Sequence, residues 1–235
     1  ALYSATIGPN LAIGYQAAYN TTSGGNNDAI GCYRPLYSNT TGSNNVAVGR
    51  DSLYNNTTAS NNVAVGYQAG YSTTTTGGST FVGTASGYSN TTGQNEAFGL
   101  YALYYNTTGN HNVAVGTSAL QANTTASNNT AVGYQASFYG TTANSNAIIG
   151  FQAGFTNTTT CGLVCVGWKA GYNISNGNAD AGTSTFVGYS AGTATTTGVD
   201  NTFIGFAGSS NTTGSRNTAL GSLALYSNTT GYENT

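Results

Sequence analysis

A short apolar run closed by a glycine recurs along the whole chain, and this period constrains the fold more than any other feature. The closing glycines are Gly14, Gly31, Gly49, Gly66, Gly83, Gly99, Gly116, Gly133, Gly150, Gly167, Gly188, Gly205 and Gly221. They span 207 residues in twelve steps, a mean period close to 17. The residue before each glycine is always large and apolar, as in Ile13, Val48, Phe98, Ile149 and Leu220. Two before it stands Ala in most units, with Phe81, Ile148, Cys165, Phe186 and Phe203 as exceptions. Four before it stands Asn in ten of thirteen units, among them Asn10, Asn45, Asn62, Asn112, Asn129 and Asn217. About five after it comes an aromatic column: Tyr19, Tyr37, Tyr54, Tyr71, Tyr88, Tyr104, Phe138, Phe155, Tyr172 and Tyr226, broken at Gln121, Thr193 and Ser210. Asn-Thr-Thr follows, usually with Gly next.

A 17-residue unit is too short for a helical-hairpin repeat, which needs over 30 residues. It suits one coil of a β-solenoid, because Val, Ile, Tyr, Phe and Thr favour strands and no helical period appears. The expected fold is all-β: a parallel β-solenoid, or β-roll, of about 13–14 coils, with two short strands per coil. It is read as a single repeat domain over residues 1–235. Strand one covers N-x-A-V. Gly turns the corner, strand two covers Y-Q-A-x-Y-S, and N-T-T-G-S closes the coil with residues that satisfy their own backbone. The chain has no Met, and its opening Ala-Leu-Tyr-Ser recurs inside a unit at Ala224-Leu225-Tyr226-Ser227. It therefore reads as a segment of a longer or processed chain.

Stacked coils bring like residues about 4.8 Å apart. Asn above Asn can then bond side chain to side chain, whereas a charge would repel its own copy. This gives a cause for the composition, which is 4% charged against about 25% in ordinary domains. With only 4 Lys and Arg, phosphate binding is excluded, so no nucleic-acid partner is expected. No run of about 20 apolar residues exists, so no membrane insertion is expected. Three Cys are too few for a disulfide scaffold, and 11% aromatics argues against simple disorder.

The faces of the expected strands differ. On strand two, Ala and the aromatics alternate with Gln16, Gln68, Asp51, Lys169 and similar residues, so that strand is buried on one side. On strand one, the residues one and two before the Gly point opposite ways and both are apolar. One face can fill the coil; the other needs a partner surface. Copies of the chain are the expected partner, as a homotrimer packed along the coil axis.

Units such as Asn62-Val63-Ala64-Val65-Gly66-Tyr67-Gln68-Ala69-Gly70-Tyr71 resemble repeats of bacterial and phage tail-fibre-domain proteins. With a longer unit, they are also similar to the left-handed parallel β-roll heads of trimeric autotransporter adhesins. The resemblance covers the whole chain. It implies a trimeric, extracellular or virion-surface protein with a fibre-like or adhesive role, and a cell-surface or glycan receptor as its partner. Neither an adhesin's anchor nor a tail fibre's chaperone domain is recognisable in these residues, so the two readings stay open.

Few residues suggest chemistry. Asn20, Asn39, Asn56, Asn90, Asn106, Asn123, Asn157, Asn211 and Asn228 each open an N-x-T glycosylation sequon, and Asn55, Asn128 and Asn173 also fit the pattern. Plain turn chemistry is the favoured explanation, with a stripe of sugars as the functional alternative. Cys165 stands in the small apolar column, which suits a buried thiol; a bond to Cys161 is a minor alternative. His111 is the single His, and the acids Asp28, Asp51, Glu96, Asp180, Asp200 and Glu233 are scattered over different units. No acid–base pair, cofactor cradle or three-ligand metal set emerges, so neither an enzyme nor a cofactor is expected. Ice binding is a lesser alternative, because the adjacent Thr pairs sit in a turn and not as the Thr-x-Thr strand face that suits it. Two further alternatives remain: head-to-tail assembly into a filament through open coil ends, and sugar binding on exposed Tyr columns. The 21-residue step from Gly167 to Gly188 puts an insertion within residues 173–184, and Pro35 must lie at an edge or bulge.

Overall fold

In the computed structural model, residues 8–175 and 183–235 are described, and most of the expected 173–184 insertion lies outside them, as does Asp180. The chain forms two compact units, residues 1–115 and 116–235. The first holds β1 (Leu11–Tyr15), β2 (Asp28–Tyr33), β3 (Val46–Val48), β4 (Val63–Val65), β5 (Thr80–Val82), β6 (Asn95–Phe98) and β7 (Asn112–Val115). The second holds β8 (Thr130–Val132), β9 (Ala147–Ile149), β10 (Val164–Val166), β11 (Thr185–Val187), β12 (Thr202–Ile204) and β13 (Thr218–Leu220). Within each unit the strands pair in chain order, all parallel, each residue beside its repeat equivalent: Ala47 lies against Ala64, and Cys165 against Phe186. The fold is a parallel β-solenoid with a 17-residue turn.

Among the described residues each turn has one strand, not two. The segment expected as strand two is a run of tight turns in which alternate residues are left-handed. Gln68 (φ 54°) and Gly70 (φ 59°) are one example, Gln135 (φ 53°) and Ser137 (φ 50°) another. Its amides still reach neighbouring turns: Gln68 N–H donates to Arg50 O at 2.9 Å, and Gly70 N–H to Ser86 O at 2.9 Å. Left-handed and right-handed residues alternate with period two, as strand faces do, so the sequence pattern is the same for both. The consequence for the faces is real. Ala69, Ala102, Ala119 and Ala136 point inward and are fully buried, whereas the aromatic column, expected on the same face, stands half-buried at the outer edge of the turn.

Twelve of the thirteen corner glycines have φ between 99° and 138°, a region closed to side chains. Gly31 is the exception because Cys32 is bulged out there: Tyr33, two past Gly31, pairs with Tyr15, one past Gly14. That bulge accounts for the 18-residue step from Gly31 to Gly49. Pro35 follows in the turn, where its equivalents Ser52 and Ala69 make only a 3.4 Å amide contact to the corner carbonyl, so little is lost with its N–H.

The interior is closed by two polar columns. Asn45 accepts from the Asn62 amide at 3.0 Å and the Asn62 side chain at 3.2 Å. It donates to Asn27 Oδ1 at 3.1 Å and across its own turn to Ala59 O at 2.9 Å. Asn10, Asn27, Asn95, Asn146, Asn201 and Asn217 make the same cross-turn bond, which ties the start of each turn to its end. Substituting Asn45→Ala removes the acceptor of two buried Asn62 donors and takes one donor away from Asn27 Oδ1 and from Ala59 O. A loss of roughly 2–4 kcal/mol is expected, read as a lower midpoint in urea.

Where one side of the apolar interior is large, the side facing it is small. The residue two before the corner glycine faces the residue four after it, or three after it in the turn of Gly205. Ala47 faces Leu53 and Ala97 faces Leu103; the large Phe81, Phe186 and Phe203 face Gly87, Gly192 and Gly208. A Cβ at Gly87 would collide with the Phe81 ring, and one at Gly70 would meet it at 2.8 Å. The exceptions in the Ala column are thus compensated five or six residues on.

Candidate functional site

The strand's inner side chain fills the solenoid and is fully buried, whereas its two outer ones are only half covered by the chain itself. The residue after the corner glycine extends this outer face. In the second unit the face carries Val132, Ile149, Val166, Val187 and Ile204, flanked by Thr130, Ala147, Val164, Thr185 and Thr202, with no charged side chain among them. Tyr134, Phe151, Trp168 and Tyr189 stand beside them, with centroid separations of 5.3, 6.2 and 4.7 Å in sequence order and planes within 14° of parallel. These four rings are 39–60% exposed. They form a second aromatic column that the sequence reading assigned to strand two. Its signal was present: a large residue directly follows the corner glycine in most units.

The aromatic column expected from the sequence is also assembled. In the first unit Tyr19, Tyr37, Tyr54, Tyr71, Tyr88 and Tyr104 stack at 5.0–5.6 Å with interplanar angles of 4–10°. In the second, Phe138, Phe155 and Tyr172 stack at 5.3 and 5.0 Å. Tyr226 stands apart and meets Phe206 edge-on. Burial, with the phenols of Tyr88 and Tyr54 adding to it, raises the pKa of Tyr71; burial and Tyr88 do the same for Tyr104.

Charge enters the columns in two ways. Opposite charges occupy successive turns: Arg34 lies 3.3 Å from Asp51, and Arg216 lies 2.7 Å from Glu233. Cations also lie against aromatic rings, and Arg50 does so while its Nε lies 3.3 Å from Asp51 Oδ2. Arg50 sits between Tyr33 and Tyr67 at 5.5 and 5.7 Å, and Lys169 lies 4.7 Å from the Trp168 ring. His111 is an exposed, left-handed residue of the closing loop (φ 56°). Among the described residues no group of three His, Cys, Asp or Glu could hold a metal ion.

Burial favours the turn-chemistry explanation of Asn-Thr-Thr over the glycan alternative. Asn39, Asn56, Asn90, Asn106, Asn123, Asn157 and Asn211 are fully buried and form the second polar column. Each side-chain amide, the one a glycan would occupy, donates to the carbonyl three residues on, as from Asn39 to Gly42 O at 3.0 Å and from Asn211 to Gly214 O at 3.0 Å. The half-buried Asn228 makes the same bond to Gly231 O at 3.1 Å. Asn20 lies half-buried one residue outside the column, whose place in that turn is taken by Thr21. A glycan on the seven buried residues is incompatible with the folded turn. Asn-Thr-Thr is turn chemistry here.

All three thiols are free: Cys32 is exposed, Cys161 half-buried and Cys165 buried, the last with its pKa pushed up to about 12 by desolvation. A thiol reagent at pH 8 should label Cys32 rapidly and Cys161 slowly. Cys165 should stay unlabelled until denaturant is added, as peptide mass spectrometry would show. No family model, curated protein or solved structure matches this chain.

Proposed function

We propose that the chain is a structural element of an extracellular or virion-surface fibre, of the phage tail-fibre or bacterial adhesin kind, in which copies pack side by side through the outer strand face as a trimer. A cell-surface or glycan receptor would be met by the assembled fibre. One observation carries this reading: the uncharged outer face of the second unit. The four rings on it alone expose roughly 400 Å², taking ~200 Å² for a free aromatic side chain. An apolar patch of that size, with the Val and Ile column beside it, is what an interface leaves open in an isolated chain. Because ring stacks on ring, the column offers edges to a partner. That suits interdigitation with another protein face better than the ring-to-sugar stacking of a lectin. Among the described residues no helix is long and apolar enough to cross a membrane.

Sedimentation velocity tests the reading. The chain is expected to run as a trimer at micromolar concentration. Val166→Lys, which puts a charge in the centre of the face while leaving the interior untouched, should run as a monomer with an unchanged circular-dichroism spectrum. A wild-type chain that stays monomeric at high micromolar concentration overturns it.

A further inference from the structure

The first unit holds eight phenols in continuous ring contact, and structural duty alone does not require them to be phenols. The six stacked tyrosines end at Tyr104, which Tyr105 meets edge-on at 4.7 Å and Tyr101 at 5.4 Å. Tyr105 is 52% exposed and Tyr101 40% exposed, so the column has an outlet to solvent. In the second unit the corresponding column reads Phe138, Phe155 and Tyr172, which packs equally well and contains no pair of neighbouring phenols. The two units thus share one geometry and differ in whether adjacent rings carry a hydroxyl.

We propose that the tyrosine column of the first unit is a site of oxidative covalent coupling, at which a peroxide-driven one-electron oxidant joins phenols of adjacent turns into dityrosine. This goes beyond a structural role, because it gives the solenoid a chemical means of locking its turns together. The exposed Tyr105 gives up an electron and its hydroxyl proton. Neighbouring rings, in contact along the column, refill it, so that oxidation spreads inward to the half-buried tyrosines. Two neighbouring phenoxyl radicals then form one carbon–carbon bond between ring positions ortho to oxygen. The hydrogen on each coupled carbon moves to the phenoxyl oxygen and restores both phenols. Two phenols have lost two electrons and two protons in total, and one hydrogen peroxide takes them up as two waters. Parallel planes within 10° and centroids near 5 Å hold each ring beside its partner for this step. A bond between turns closes a loop of one repeat and restricts the unfolded chain as other cross-links do.

The test treats the whole chain with hydrogen peroxide and a haem peroxidase, followed by non-specific digestion and peptide mass spectrometry. The expected result is dityrosine within one chain, between adjacent-turn pairs such as Tyr54–Tyr71 and Tyr71–Tyr88, with no such product from the 138–172 column and a raised melting temperature. Tyr71→Phe keeps a ring in the stack and should abolish those two products and, by interrupting the run of phenols that leads from Tyr105, lower the yield of Tyr19–Tyr37, while leaving Tyr88–Tyr104. Dityrosine found only between different chains, or none while Tyr105 is consumed, overturns the proposal. Neither outcome depends on whether the chain is a trimer, since the products are read within single chains.

Discussion

Phe81→Ala is expected to destabilise the first unit by about 3–5 kcal/mol, and a second substitution, Gly87→Leu, to restore most of that loss. Phe81 is fully buried, and Gly87 is glycine because the Phe81 ring occupies the space where its side chain would go. Ala alone leaves a cavity. Leu at position 87 fills it from the opposite side of the turn, reproducing the Ala97 and Leu103 arrangement one turn later. The backbone permits this: Leu103 holds φ 52° and Gly87 holds φ 59°, so Leu already lives in that conformation. Gly87→Leu alone, with Phe81 kept, should be worse than either. Urea unfolding of the three variants checks the sign of the coupling, and additive losses would show that the two positions do not share one space.

Gly66→Ala is expected to be the most damaging small substitution, with the first unit failing to fold at room temperature. Two costs combine. The φ of 138° is one that L-residues rarely adopt, and a new Cβ would stand 2.5 Å from the Gly83 carbonyl oxygen. That oxygen belongs to backbone held by its own neighbours, so no side-chain rearrangement relieves the clash. An outward-facing control on the same strand, Val65→Thr, should shift the melting midpoint little. Circular dichroism of the two variants makes the comparison.

These two contrasts also mark what the sequence discloses. The corner glycines were legible because the demand for them repeats every turn and no other residue meets it. The single apolar column before them was legible for the same reason. The second strand was not, since a left-right alternation such as Gln68, Ala69 and Gly70 presents the same period-two pattern as a pleat. Asn39 and its equivalents satisfy a sequon by composition, yet the three-residue reach from their side chains to the loop carbonyl draws them inside, and nothing in a motif reports burial. The outer aromatic column escaped notice because Tyr67, Tyr134 and Phe151 were placed in that expected strand. The Phe81 and Gly87 pairing was written in the sequence, but it spans a corner, and only the closed turn shows that the two positions face each other.

The paired charges bear on how such a chain can lengthen. A turn carrying only neutral residues can be duplicated next to itself, because each column then gains one more like residue. The turn of Arg34 cannot: its copy would face Arg with Arg, while Asp51, 3% exposed and already paired with Arg50 of its own turn, would gain no second acid to offset the added cation. Arg216 and Glu233 impose the same condition. Neutral turns are therefore interchangeable units of growth, whereas charged turns can be inherited only as couples. Each couple is a fixed landmark in an otherwise repetitive chain, and a register error that slides one turn past another is penalised there and nowhere else along those columns.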